Sequence, residues 1–385
     1  MVRLGIIGIG GMGRGHAGYL SKGEVAGATL TAVCDVSPDA LEWARTNLGE
    51  KIALFDDADA LFKSGTVDGV LIATPHYFHP PLAIAALNHG IHALVEKPAG
   101  VYTKQVREMN EVAEKSDKVL GIMFNQRTRG VHQKMKDIVS SGELGEIMRV
   151  TYIITDWFRS QAYYDSGGWR ATWAGEGGGT LVNQCPHNLD LWQWICGKPS
   201  RVRAFCGFGK YHNIEVEDDV TAYVQYPNGA TGVFIATTGE APGTQSFEIA
   251  GDRGKLLLQD NKLTFWRTRE SVSGFLKSTK DGFSMPEIWK CDVPTGHGGG
   301  EHIEITRNWI SAIVDGKPLL ARGQEGINSV EIANAILMST WTDDWVNLPI
   351  DEDRYYELLQ ERIATSTYRK PEQQAAKSLN FQGTF

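Results

Sequence analysis

The sequence predicts an α/β domain with a doubly wound, Rossmann-like parallel sheet over residues 1–125. An α+β domain with a large, mostly antiparallel open sheet follows over residues 126–385. Three observations predict this. Up to about residue 125, short apolar runs alternate with amphipathic stretches, the rhythm of right-handed βαβ crossovers. A glycine turn, Gly8-Ile9-Gly10-Gly11-Met12-Gly13, sits where the first apolar run gives way to the first helical stretch. Beyond Gln126, segments of alternating apolar and polar residues are separated by turn signals such as Pro227-Asn228-Gly229 and Gly251-Asp252-Arg253-Gly254, which favours antiparallel pairing with helices on one face.

In order along the chain, Leu4–Gly8, Leu30–Asp35, Val70–Ala73, His92–Val95 and Val119–Met123 are short, apolar and rich in branched residues, and are predicted strands of a sheet covered on both faces. The amphipathic segments Leu82–His89 and Lys104–Lys115 are predicted helices between them. A helix over Val131–Ser140 opens the second domain. Met148–Thr155, Arg201–Phe208, Val220–Tyr226, Thr231–Thr238 and Phe247–Ala250 then follow as predicted strands, and His302–Val314 and Gly323–Met338 as late helices. The polar tail beyond Arg369 is expected to be partly mobile.

Composition narrows the function. The 385 residues are 42% hydrophobic, more than one core usually needs, which favours two domains. A net charge of −8 without any basic cluster excludes the footprint of a nucleic-acid binder. Five cysteines with no CxxC pair fit reduced thiols better than a disulfide framework. The chain start has no signal-peptide pattern, and no stretch reaches the roughly 18 apolar residues of a membrane span. A cytoplasmic protein without membrane contact is expected. The open sheet face needs cover, so a homodimer or homotetramer is expected as well.

The glycine turn fits G-x-G-x-x-G between a strand and a helix, where Gly8, Gly10, Gly11, Met12 and Gly13 let a pyrophosphate approach the helix N-terminus. Asp35 ends the second strand about 20 residues further on, near the separation at which an acid receives hydrogen bonds from the adenosine ribose. A carboxylate there repels a 2′-phosphate, so NAD is the expected cofactor rather than NADP; the plainer alternative is a turn residue before Ser37-Pro38. Thr74-Pro75, with His76 and His79 beyond, ends another strand on the same rim. Each histidine could equally be a polar loop residue. Glu96-Lys97-Pro98 ends the strand His92–Val95 and aims an amine at the crevice where ligands of such sheets collect. Burial beside a cationic nicotinamide would lower the lysine pKa toward neutrality.

Together with Asn125, Arg127 and Ser141-Gly142-Glu143-Leu144-Gly145, these motifs resemble the Gfo/Idh/MocA oxidoreductase family over nearly the whole chain. The resemblance implies that Lys97 hydrogen-bonds the reacting oxygen of a sugar or polyol and that His187 is the acid/base. Asn183 stands where the family usually has Asp. Pro186 favours a helix starting near that position, with Asn183 on the preceding turn. Loss of the family's negative charge should make His187 less basic. The resemblance extends the expected cofactor contacts to His79, Glu96, Lys97, Asn125, Trp169 and Arg170. Expected substrate contacts are Lys97, Arg127, Tyr164, Trp169, Arg170, Asn183 and His187. Tyr163 and Trp173 belong to the same aromatic loop and could instead be structural.

The expected reaction is NAD-dependent oxidation of a ring hydroxyl on a neutral sugar, glycoside or inositol, the hydroxyl proton passing toward Lys97 and His187. The Asn-Gln-Cys-Pro-His stretch resembles the branch that oxidises pyranoside rings, at carbon 3 among the options. Two alternatives stay open: a redox-neutral glycoside hydrolase with retained NAD, and a nucleotide sensor without turnover. His297-Gly298-Gly299-Gly300-Glu301-His302 is expected to be a loop near the pocket mouth rather than a zinc site, and no metal is expected.

Overall fold

The computed structural model describes residues 1–296 and 298–370. The polar tail over 371–385 and His297 of the glycine loop lie outside the described residues.

Six parallel strands form the first sheet: β1 (Val2–Ile7), β2 (Ala28–Cys34), β3 (Ala53–Phe55), β4 (Gly69–Ile72), β5 (His92–Val95) and β6 (Leu120–Ile122), in the order β3-β2-β1-β4-β5-β6. All five expected strands are present. The unexpected one, β3, is three residues long and too brief for a periodic signal. Register fixes the functional rim. Ile7 pairs with Cys34 and Ile72, and Ile72 with Val95, so the chain leaves four strands at one level. Gly8, Asp35, Ala73-Thr74 and Glu96-Lys97 therefore emerge side by side, at the carboxyl ends where doubly wound sheets collect ligands.

The second sheet has nine strands: β7 (Ile147–Ile154), β8 (Arg201–Phe208), β9 (Glu217–Gln225), β10 (Thr231–Thr237), β11 (Gln245–Gly251), β12 (Gly254–Gln259), β13 (Lys262–Thr268), β14 (Ile288–Asp292) and β15 (Val346–Asn347). Their order is β14-β13-β12-β11-β7-β10-β9-β8-β15. Only β7 and β10 pair in parallel, so the sheet is mostly antiparallel as expected. The turn at Gly251-Asp252-Arg253-Gly254 joins β11 to β12. Helices lie on one face. On the other, Met148, Phe205 and Tyr223 are exposed.

Two hydrophobic clusters form, one about each sheet. Helix α1 (Gly11–Ser21) follows β1, and α2 (Pro186–Cys196) carries Trp192 against Phe234 of the second sheet. Helix α3 (His302–Asp315), late in the chain, returns to the first cluster through Ile305, Trp309 and Ile310. Trp309 fills the space beside Gly69 and Gly121, where a Cβ would lie 2.9 and 3.1 Å from its ring. Among the described residues no helix is long and apolar enough to cross a membrane.

Candidate active site

A cavity of about 610 Å³ runs from the glycine turn to α2, lined at one end by Gly8, Gly10, Gly11, Met12 and Asp35 and at the other by Lys97, Asn183 and His187. At the first end backbone comes close to backbone. Gly8 has φ +92° and a Cβ there would meet Ala73 O at 2.6 Å; a Cβ on Gly13 would meet Gly8 O at 1.8 Å. Gly10, by contrast, faces open space. Helix α1 has no side-chain cap and no acidic residue in its first turn, so its N-terminal N–H groups and dipole suit a pyrophosphate. Asp35 is held on the rim by the N–H groups of Ile9 (2.7 Å) and Ser37 (2.8 Å), which donate to its two oxygens. The exposed apolar side chains of Val36 and Phe78 flank this end. These residues fit a dinucleotide.

Glu96 ties the two ends together. Its carboxylate accepts from His16 of α1 at 2.7 Å and from the Lys97 N–H at 3.1 Å, with His302 4.0 Å away. Burial by itself pushes this carboxyl up, but the His16 hydrogen bond and the neighbouring cations outweigh it and hold Glu96 at about 2. Lys97 Nζ donates to Asn183 O at 3.0 Å. Burial, opposed by Glu96 and reinforced by Arg170 and Arg159, lowers the ammonium to about 8.

The second wall follows the expected break. Asn183 lies in a wide turn (Thr180–Gln184), and α2 begins at Pro186. His187 is 5% exposed, and both its ring nitrogens lack a partner among the described residues. Burial first, and then Lys97, push its pKa well below the ordinary value, so the ring is neutral. Asn183 donates its amide to Glu176, a buried carboxylate that also accepts from Ala171 N–H at 2.6 Å and lies 3.9 Å from Arg170. Sequence reasoning missed Glu176. Its one signal is the acid inside the glycine run before Asn183.

The aromatic loop stands over this end. Trp169 meets the His76 ring edge-on at 5.2 Å, and Arg170 lies 4.6 Å over the Trp169 ring and 4.8 Å over Tyr163. Tyr163 OH accepts from Arg170 (2.9 Å) and Gln184 (3.1 Å). Trp157 and Arg159, which the sequence reading passed over, also line the cavity just past the end of β7. Trp157 Nε1, Arg159 Nε, Thr74 Oγ1, His76 Nδ1 and Gln184 Oε1 are buried without partners among the described residues. Such groups are costly unless a ligand or water meets them.

Several expected contacts need correction. Arg127 is fully buried away from the cavity, where its guanidinium donates to both oxygens of Asp190 (2.8 and 2.6 Å), to Leu320 O (3.0 Å) and to Glu325. Its donors are spent on structure. Tyr164 is buried with its hydroxyl 2.7 Å from Thr238 Oγ1, and its neighbour Tyr163 faces the cavity instead. Asn125 donates to Gly300 O and is not a lining residue. His79 touches the cavity, but its ring nitrogens lie 2.7 and 2.8 Å from Pro98 O and Thr74 O, so it braces the two strand-end turns. Gly13 acts through its contact with Gly8, and Trp173 packs edge-on against Trp341. Pro75, Trp169 and Arg170 line the cavity. Gly299 and Gly300 pack on Thr128 and Arg129. Among the described residues no group of three metal-ligating side chains converges.

A glycine cradle at a helix N-terminus, a carboxylate held on the same rim and a desolvated lysine in one cleft suit an NAD-binding oxidoreductase. The chain belongs to the GFO/IDH/MocA family: residues 2–124 match its oxidoreductase model with NAD-binding Rossmann fold, and residues 132–257 its C-terminal domain. The rhizopine catabolism protein MocA of Rhizobium meliloti is 30% identical over 197 residues, 51% of this chain and 57% of that protein. D-glucoside 3-dehydrogenase of Escherichia coli is 29% identical over 247 residues, 59% of this chain and 68% of that one. The crystal structure of the WlbA dehydrogenase from Bordetella pertussis in complex with NADH and UDP-GlcNAcA matches with a TM-score of 0.77 at 25% identity, covering 91% of this chain and 99% of that one.

Proposed function

We propose that this protein is an NAD-dependent dehydrogenase that oxidises a ring hydroxyl of a neutral sugar, glycoside or inositol. The observation that carries the reading is the pairing of Lys97 with His187: an amine lowered to about 8 and a neutral imidazole with two unpartnered nitrogens, in one cavity with the glycine cradle. When bound, the nicotinamide supplies the hydride acceptor. Lys97 Nζ, in its neutral form, takes the hydroxyl proton. His187 hydrogen-bonds the same oxygen and holds the ring hydroxyl toward the amine. Asn183 orients Lys97 through its backbone carbonyl, and Glu176 fixes the Asn183 amide.

Three features support a carbohydrate. Trp157, Tyr163 and Trp169 offer apolar faces to C–H faces of a ring, while Gln184 and Arg159 hold unused hydrogen-bonding atoms. Arg170 stands next to Glu176, which offsets its charge and favours a neutral substrate. The similarity to a D-glucoside 3-dehydrogenase points the same way.

A panel of sugars, glycosides, uronates and inositols with NAD, followed by NADH absorbance and identification of the oxidised carbon, tests the proposal. Steady NADH formation from a neutral sugar or polyol is expected. Glycoside cleavage without NADH accumulation would instead identify a redox-neutral hydrolase, and NAD binding with no turnover on any member would identify a sensor.

A further inference from the structure

His187 and Trp157 are walls of two cavities. Beyond them from the cofactor lies a second hollow of about 90 Å³, between α2 and the inner ends of β7, β11 and β12. The exposed hairpin turn between β12 and β13, at Asp260-Asn261, lies on its rim, where Arg129 donates to Asn261 Oδ1 at 2.5 Å. The floor is aromatic, with Tyr152 and Phe247 stacked at 4.1 Å. The rim is amide-rich, with Gln245 and Gln259 exposed on neighbouring strands. Asn188, adjoining His187, is 5% exposed; its amide donates to Tyr152 OH at 2.8 Å, while its Oδ1 has no partner among the described residues. One cation, Arg129, and one carboxylate, Asp260, face the hollow, so no net charge is selected.

We infer that this hollow is a subsite for a second neutral, hydroxylated unit, and that the preferred substrates are glycosides carrying a second sugar residue rather than free monosaccharides or inositols. The inference rests on the dehydrogenase reading above and deepens it. Stacked aromatics beneath a rim of amides match the alternating C–H faces and hydroxyls of a pyranose. A volume of about 90 Å³ holds only part of a second ring, the equivalent of about three waters at bulk density. The rest projects outward past the exposed rim at Gln245 and Gln259. Trp157 and His187 border both cavities, so the inferred substrate places the ring that meets Lys97 on one side of them and its substituent on the other.

The test compares kcat/KM for glucose, methyl glucoside and neutral disaccharides differing in linkage, using the whole enzyme with NAD. At least one disaccharide is expected to exceed its monosaccharide by tenfold or more. Gln259→Trp and Gln245→Trp, both at exposed positions and so without strain on the fold, fill the rim and are expected to lower that ratio at least tenfold. A wild-type ratio near one, or a ratio untouched by both variants, overturns the subsite and leaves the dehydrogenase reading standing. Absence of NADH formation with every carbohydrate overturns both.

Discussion

The ionisation of Lys97 sets how the rate of the proposed oxidation depends on pH. Burial brings this ammonium from 10.5 to about 8, a change worth about 3 kcal/mol at roughly 1.4 kcal/mol per unit. An ordinary lysine is neutral in only about 3 molecules in 10,000 at pH 7; at a pKa of about 8, about one in ten is neutral. Since the neutral amine is the form that takes the hydroxyl proton, kcat/KM for oxidation should rise about tenfold between pH 7 and 9 and level off above the midpoint. His187 adds no second limb in this range, because burial keeps its ring neutral well below its ordinary value. Initial rates of NADH formation between pH 6 and 9.5, with substrate well below KM, measure the profile. Lys97→Arg retains a cation that cannot deprotonate and should remove the limb with most of the activity. A wild-type profile flat from pH 7 to 9, or an ascending limb that persists in Lys97→Arg, would refute the assignment of the base.

Replacing Lys97 with Ala should abolish turnover while NAD affinity, measured by calorimetry, stays within a few-fold, because the glycine cradle and Asp35 are untouched. His187→Ala removes a hydrogen bond to the reacting oxygen and should lower kcat by about 10²–10³; single-turnover rates with saturating substrate check it, and a variant with KM raised and kcat unchanged would assign His187 to binding alone. Under the ribose role expected of it, Asp35, held on the rim by the Ile9 and Ser37 N–H groups, disfavours a 2′-phosphate, so Asp35→Ser should weaken NAD more than NADP; titration of both cofactors by protein fluorescence decides it, unchanged discrimination counting against the role. Arg127→Met leaves Asp190 buried without its cation, at a cost of about 3–5 kcal/mol, so a melting temperature lowered by several degrees is expected in calorimetry, and one equal to wild type would contradict the structural role.

Much of the cofactor end was legible because it is local. A strand, a glycine turn and a helix are contiguous, and the parallel register that aligns Gly8, Asp35, Thr74 and Lys97 follows from short βαβ units of similar strand length. The substrate end was legible only in part. Arg127 and Tyr164 belong to motifs that suggest chemistry, yet one finds Asp190 and Glu325 and the other Thr238, partners 63, 198 and 74 residues away. Long-range pairing of that kind leaves no trace in spacing or periodicity. Trp157 and Arg159 were missed for the converse reason: they follow β7, paired parallel with β10 and antiparallel with β11, in an irregular segment, and only the tertiary fold brings them into the cavity of Lys97.

Asn183 stands where the resemblance implies an acid, and its surroundings show how such a departure is absorbed. A carboxylate beside His187 would favour imidazolium; Asn183 instead spends its side-chain amide on Glu176, while its backbone carbonyl accepts from Lys97 as that of any residue there would. The negative charge thus stands one residue further out, beside Arg170 at 3.9 Å, where it offsets a cation of the substrate loop. His187 is left neutral and its two nitrogens unused by the protein among the described residues, while the lowered pKa of Lys97 comes from burial and the nearby arginines. In the proposed reaction proton transfer therefore falls mainly to Lys97, and His187 holds the substrate oxygen between the cofactor-side cavity and the hollow at Asn188. Glu176→Gln tests that division of labour: the Asn183 amide loses its anionic acceptor and Arg170 its counter-charge, so KM should rise while the pH midpoint set by Lys97 moves little. A midpoint displaced by a full unit with KM unchanged would instead mean that Glu176 acts on the base.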